Sequence, residues 1–292
     1  MRKALIVGLN YYDTRNMLPT CVSDAQRVEA LLKKNSNGIE NFSTSLMIGK
    51  EENSRLSGRH LKISLMELFL EATETALFYY SGYGYFDHQT GYIITSDCLR
   101  AIDGVSTDDL LMLSNKSKAK NKIIILDLFH SISMEETTPV SENLQISEGT
   151  TLLISYKKYQ EEEERFTTLL CRALAGAAAN KSGYISPSSV YDYITQSLNN
   201  DEQRPLFKTN VSDFVLLRSV YGKPFNHRGN IEGKIHYEPD MEKKEFYSNL
   251  QYLHDITIEK QKRKKQNKCP HSTDITNNRW RRYWRFVSSG LL

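Results

Sequence analysis

The chain has 292 residues, of which 39% are hydrophobic and 25% charged, and its formal net charge is +3. This length allows one large α/β domain with an appendage, or two small domains, and no apolar run reaches the ~20 residues of a transmembrane helix. Residues 221–292 hold 15 Lys and Arg but 8 Asp and Glu, a net +7, so the first 220 residues carry −4. The asymmetry predicts a mildly acidic body with a basic tail.

Short apolar runs along the first 160 residues predict buried strands. The first run, KALIVGL, continues directly into patterned sequence and is interpreted as a core strand rather than a signal peptide. Further strands are predicted at 44–49, 76–87, 91–97, 122–132 and 150–156, and 91–97 is interpreted as the hairpin neighbour of 76–87.

Helices are predicted between these strands. SDAQRVEALLKK has apolar residues on one face, and Ser23 or Asp24 is placed to cap it. A second helix has Ile63, Leu65, Leu68 and Leu70 as its apolar residues, and further helices follow at STDDLLMLSN, RFTTLLCRALAGAAA and SPSSVYDYITQSL. The alternation predicts an α/β fold with a mostly parallel six-stranded sheet and helices on both faces.

The alternation of strand and helix patterns ends near residue 220. Phe246, Leu250 and Leu253 are spaced as on one face of a helix, and a lysine-rich block follows them. We therefore predict two parts, an α/β domain over 1–220 and a basic, largely helical extension over 221–292.

The cysteine pattern excludes two common site types. Cys21, Cys98, Cys171 and Cys269 are scattered, with neither a Cys-x-x-Cys pair nor the spacing of zinc ligands. This favours reduced thiols in a cytoplasmic protein over a disulfide framework. No glycine-rich phosphate loop follows the first strand, so no cofactor is predicted.

Four segments, in order, carry a resemblance to a known family. They are KALIVGLNYY with LPTCVSDAQRVEALL, then LFYYSGYG, IIILDLFHSI and TLLISYKKYQEEEERFTTLLCRALAG. Together they resemble the caspase/metacaspase-like peptidases, especially the bacterial members, over about residues 1–220. The resemblance implies a caspase-like α/β domain and a family activity of cysteine endopeptidase.

The resemblance fails at the residues that perform the reaction. The family's catalytic histidine matches Tyr83, its nucleophilic cysteine matches Phe129, and the glycine after the nucleophile matches Ile132. Phenylalanine has no nucleophilic atom, and a phenol, with an ordinary pKa near ~10, is a poor proton carrier at neutral pH. The sequence therefore predicts a pseudopeptidase whose dyad positions are degenerate.

A substrate pocket is a separate implication of the resemblance. Metacaspase-like members hold a basic side chain with an acidic residue, a serine and an aspartate, and those positions match Asp24, Ser81 and Asp127. Carboxylates beside a hydroxyl suit a guanidinium. Each residue also has a purely structural interpretation, as a helix cap, a turn residue and a strand-end hydrogen bonder, and the two interpretations stay open.

The family's calcium-binding aspartates have weak counterparts. Asp97, Asp108 and Asp109 resemble them at a shorter spacing, and helix capping explains them better than calcium, which needs several converging oxygens. No metal site is predicted.

The basic tail suggests an interaction surface. Its basic and aromatic residues could dock on the body or on a partner protein, which we favour, or bind nucleic acid or a membrane interface. The residues selected are Lys262, Arg263, Lys264, Lys265, Trp280, Arg281, Arg282 and Trp284.

The function predicted from the sequence is binding rather than catalysis. A catalytically inactive caspase-like protein could hold Arg- or Lys-bearing protein segments, or regulate an active caspase-like or effector partner, and the resemblance implies a bacterial defence or stress-response setting. Two alternatives stay open: an active endopeptidase with Arg/Lys specificity that uses unrecognised residues such as Cys98, and a nucleic-acid-binding protein that uses its tail.

Overall fold

A computed structural model describes residues 1–86, 90–130, 144–158, 166–198, 204–212 and 214–218 of the chain. All of them belong to one unit, Met1–His227. The predicted extension over 221–292, with its tail residues, lies outside the described residues. Its helical character and the boundary at residue 220 therefore stay predictions.

The strands form a central sheet in the order β2-β1-β3-β6-β7-β9. Its first five strands are parallel, and β9 runs antiparallel to β7. β4 pairs antiparallel with β3 as its hairpin neighbour, β5 adds to β4, and β8 pairs with β10 separately. The prediction of a mostly parallel six-stranded sheet is confirmed for the main path. The bounds are β1 (Arg2–Leu9), β2 (Ser43–Gly49), β3 (Thr75–Phe86), β4 (Gly91–Ile93), β5 (Val105–Ser106), β6 (Asn121–His130), β7 (Thr150–Lys158), β8 (Tyr184–Ile185), β9 (Leu206–Thr209) and β10 (Leu217–Arg218).

Helices cover both faces of the sheet, as predicted. Residues of α1, α4 and α5 share one buried cluster with Ile6, Tyr79 and Ile125, whereas residues of α2 and α3 share the other cluster with Phe78 and Leu126. Alternate strand residues point to opposite faces, so burial on both faces explains the unbroken apolar runs. The bounds are α1 (Cys21–Lys33), α2 (Gly58–Leu70), α3 (Thr107–Lys116), α4 (Phe166–Arg172) and α5 (Pro187–Ser197).

The start of α1 differs from the prediction. Thr20 is the N-cap residue, and the Val22 N–H donates to Asn10 Oδ1 at 2.9 Å. Neither Ser23 nor Asp24 caps the helix, because both lie inside its first turns, where the Asp24 N–H already donates to the Thr20 carbonyl. Asp24 is instead buried, with 3% of its surface exposed.

The predicted second helix is present as α2, and only part of its apolar set is buried. Leu65 and Leu68 are buried as expected, but Ile63 and Leu70 are exposed. Leu61 and Phe69 are buried in their place. Counted from Leu61, the buried residues stand at positions i, i+4, i+7 and i+8, which fall on one face of a helix with a period of about 3.6.

A buried chain of hydroxyl groups ties α4 to the sheet. The Tyr79 hydroxyl on β3 lies 2.7 Å from Thr167 Oγ1 on α4, and Thr167 Oγ1 donates to Asp127 Oδ2 on β6, also at 2.7 Å. Burial raises the pKa of Tyr79 well above that of an ordinary tyrosine, and the charges of Asp127 and Asp24 raise it further. The phenol therefore stays protonated and donates a hydrogen bond to Thr167 Oγ1. The Thr167 hydroxyl in turn donates a hydrogen bond to the Asp127 carboxylate.

Replacing Thr167 tests this link. Thr167→Val keeps the shape of the side chain but removes the donor to a buried carboxylate, so we expect the free energy of unfolding to fall by about 1–3 kcal/mol. Urea denaturation of the full chain, followed by circular dichroism, measures it.

The matched control is Thr195→Val on α5. Thr195 is half-buried, and its hydroxyl donates to the Tyr191 carbonyl of the same helix, so we expect a loss of at most about 0.5 kcal/mol. Equal losses for the two variants would contradict the proposed importance of the Thr167 bridge.

Candidate functional site

Two rows of side chains cross from β3 to β6 near the carboxyl ends of these parallel strands. In the register of the pair, Ser81 lies opposite Asp127, and Tyr83 lies opposite Phe129. Asp127 bonds Thr167 of α4 on the face that holds Tyr79 and Ile125, whereas Tyr83 and Phe129 belong to the buried cluster of the other face. The structure therefore brings together the two dyad positions in one row and two of the predicted pocket residues in the other.

Helix α1 brings the third pocket residue to the same place. Gly8 on β1 is the register partner of Ser81. A Cβ on Gly8 would lie 2.7 Å from the Ala25 Cβ and would overlap the carbonyl of Cys21, so the glycine allows α1 to pack closely on the strand. This close packing places Asp24, one residue before Ala25, at the end of the sheet that holds Ser81.

The predicted pocket residues are all withdrawn from solvent. Asp24, Ser81 and Asp127 expose 3%, 0% and 1% of their surfaces. Within the described part of the chain, Ser81 Oγ is buried without a hydrogen-bond partner. The two carboxylates act on the same buried groups, since both raise the pKa of Tyr79 and of Cys171.

Four further residues belong to this cluster, and none of them was predicted from the sequence as a residue of the pocket. Tyr79 precedes Ser81 by two positions on the same strand face, and Arg27 follows Asp24 by one helical turn, so their spacing could have pointed to them. Arg27 Nη1 lies 3.4 Å from Asp24 Oδ1. Thr167 and Cys171 had no local signal, because α4 reaches the pocket only through the tertiary fold.

The row that holds Tyr83 and Phe129 is packed with aromatic groups. Tyr83 exposes 4% of its surface and Phe129 exposes 8%. The ring of Tyr12 meets the ring of Tyr83 edge-on, with 4.9 Å between centroids, and the Tyr83 N–H donates to the Tyr12 hydroxyl at 2.8 Å.

Gly82 is required by this packing. A Cβ at this position would overlap the hydroxyl groups of both Tyr80 and Tyr12. The Tyr80 hydroxyl is also 2.7 Å from the Ile94 carbonyl, to which it donates, and burial raises the pKa of both phenols well above the usual value. Residues 81–84 thus lie within β3, where protonated phenols hold them, and Ser81 is not the turn residue that one interpretation of the sequence offered.

The described cysteines are poorly suited to nucleophilic chemistry. Cys21, Cys98 and Cys171 are all buried. Burial raises the pKa of Cys98, whose sulfur accepts from the Thr95 N–H at 3.3 Å. Burial also raises the pKa of Cys171 to about 12, against an opposing effect of the Arg27 charge. Cys269 lies outside the described residues.

The aspartates that resemble calcium ligands are engaged in separate local contacts. Asp97 Oδ1 accepts from the Gly58 N–H at 3.0 Å, Asp108 Oδ2 accepts from Thr90 Oγ1 at 2.8 Å, and Asp109 pairs with Lys62. Among the residues that the structure describes, no three His, Cys, Asp or Glu side chains are grouped as metal ligands would be. Over the same residues, no helix combines the length and apolar composition needed to cross a bilayer.

Solved structures show the same fold. A protein from Geobacter sulfurreducens is 15% identical, with a TM-score of 0.51 over 72% of this chain and 93% of its own. Caspase-1 from Spodoptera frugiperda is 13% identical, with a TM-score of 0.50 over 75% and 90% of the two chains. The pro-form of Sf-caspase-1 is 12% identical, with a TM-score of 0.50 over 75% and 91%. No curated protein matches the chain significantly.

The family comparison covers more of the chain than the described fold does. The family model of the caspase domain matches residues 1–277, which extends past the predicted boundary at residue 220. The mostly parallel sheet and the helices on both of its faces agree with this match. The chain therefore belongs to the caspase-domain family.

Proposed function

We propose that the chain is a catalytically inactive caspase homologue that binds protein segments bearing an arginine or lysine side chain. The observation that carries the proposal is the paired register of Tyr83 and Phe129, the residues that match the family's histidine and cysteine. A row of two packed aromatic side chains offers neither a thiolate nor a base near neutral pH.

The neighbouring row supports a binding role. The carboxylates of Asp24 and Asp127 are buried, and so is the hydroxyl of Ser81, which lies opposite Asp127 in the register of β3 and β6. Buried charges are costly unless a cation and hydrogen bonds compensate them, and a buried hydroxyl gains from a partner. A guanidinium or ammonium group from a bound segment supplies both the positive charge and the N–H donors.

The binding role has two forms that differ in the partner. The bound segment belongs either to a target protein or to an active caspase-like or effector protein that this chain regulates. The bacterial defence or stress-response setting rests on the family resemblance. A role for the tail in nucleic-acid binding stays a prediction, because its residues lie outside the described part of the chain.

An active peptidase that uses another thiol is the main alternative. Thiolates are the reactive form of cysteine, and the raised pKa values of Cys98 and Cys171 keep both thiols protonated at neutral pH. This alternative would also require movement of α4 or of the loop around Cys98 to expose sulfur.

Thiol alkylation tests this alternative. At about pH 8 we expect iodoacetamide to leave Cys21, Cys98 and Cys171 unmodified in the native full chain, because all three are buried and protonated thiols react slowly. Mass spectrometry of the digested protein identifies the modified residues, and the same reaction in urea is the positive control. Rapid native alkylation of Cys98 that also abolishes a peptide-cleaving activity would instead support the peptidase.

Restoration of the dyad tests the proposed pocket. The variant Tyr83→His with Phe129→Cys places an imidazole and a thiol on opposed positions of β3 and β6. We expect it to cleave fluorogenic reporters after Arg or Lys, while the wild type and the Tyr83→His, Phe129→Ala variant remain inert.

Adding Asp127→Asn to the restored variant should abolish this cleavage, because the pocket loses a carboxylate. Circular dichroism confirms that each variant is folded. A folded restored variant that cleaves nothing, or that prefers reporters with acidic or apolar residues, would refute a pocket for basic side chains.

A further inference from the structure

We propose that Arg27 is an internal competitor for the pocket, a cation on α1 that holds Asp24 until a bound basic side chain displaces it. This inference rests on the proposed function, since it concerns how the same pocket admits its ligand. It makes Arg27 a residue that sets the affinity of binding.

The contact between Arg27 and Asp24 joins a solvent-facing group to a buried one. Arg27 follows Asp24 by three residues on α1, and its Nη1 lies 3.4 Å from Asp24 Oδ1. The Arg27 side chain is 38% exposed, whereas that of Asp24 is 4% exposed. The guanidinium therefore reaches the carboxylate from the solvent side of the cluster.

The charge of Arg27 extends beyond its own helix. It lowers the pKa of Cys171 on α4, while the charges of Asp24 and Asp127 raise it, so the thiol senses all three groups. An incoming cation near the two carboxylates would sense the same positive charge and be repelled by it.

The geometry of the Arg27 contact makes it replaceable. A single Nη1–Oδ1 approach of 3.4 Å is long for a charge-assisted hydrogen bond and uses one edge of the guanidinium. Pairs with an exposed, long side chain are weak, because solvent screens them and the side chain loses rotamer freedom. A ligand that reaches Asp24 with two N–H donors, and Ser81 with a third, makes better use of the same acceptors.

This arrangement predicts selectivity for arginine over lysine. Displacing Arg27 costs any ligand the same amount, but a guanidinium recovers more through its planar fork than an ammonium does. Because this cost is the same for both ligands, removing Arg27 should raise both affinities by the same factor and leave the arginine-to-lysine ratio unchanged.

The test compares two neutralised positions on the same helix. Arg27→Gln removes the contact with Asp24, and Lys33→Gln removes the same charge from the exposed last turn of α1, where Lys33 lies 3.9 Å from Glu29. Calorimetric titration of each full-length variant with Nα-acetyl-arginine N-methylamide, and with its lysine counterpart, gives the affinities at one ionic strength.

We expect Arg27→Gln to bind the arginine probe and the lysine probe each about fivefold more tightly than the wild type does, with the ratio of the two affinities unchanged. Lys33→Gln should change neither by more than about twofold, because solvent screens exposed charges. If the wild type binds and Arg27→Gln binds no more tightly than Lys33→Gln, this inference is wrong while the proposed function stands. If Arg27→Gln, shown to be folded, binds neither probe, both are overturned.

Discussion

The burial of two like charges at one end of the sheet is the constraint on which the site depends. Asp24 and Asp127 come from α1 and β6, and each is almost completely removed from water. Such charges are tolerated only with donors and counter-charges nearby, and the fold provides them from separate elements. Thr167 on α4 donates a hydrogen bond to Asp127, and the protonated Tyr79 is hydrogen-bonded to Thr167. Arg27 contacts Asp24.

The two rows of side chains that join β3 and β6 differ in their chemistry. Tyr83 and Phe129 are buried aromatic residues, whereas Ser81 and Asp127, two positions earlier on the same strands, are buried and polar. A row with no ligand would lose little by becoming apolar, because replacing a buried ionic group by packed hydrophobic residues is often neutral or stabilising. The proposed function explains why the chemistry of the two rows differs.

Much of the fold follows from the sequence, because strands buried on both faces have unbroken apolar runs and the helices between them have amphipathic spacing. The errors have local causes. α1 starts earlier than its Ser23 and Asp24 suggested, because Asn10, at the far end of the loop that leads into the helix, supplies the acceptor for its first turn. The strand predicted at 91–97 ends at Ile93, and beyond it Ser96 donates to the Tyr11 carbonyl. The Thr167 bridge joins residues 40 and 88 positions apart, which no local pattern encodes.

We propose that the pocket selects a positive charge although the residues at the predicted dyad positions are aromatic. The decisive measurement is a calorimetric titration of the wild-type full chain with two peptides. One peptide carries a single arginine, and the other carries citrulline, the uncharged near-isostere of arginine, at the same position. We expect saturable binding of the arginine peptide, little binding of the citrulline peptide, and loss of the difference between them in the Asp127→Asn variant. Equal affinity for the two peptides in the wild type would contradict it.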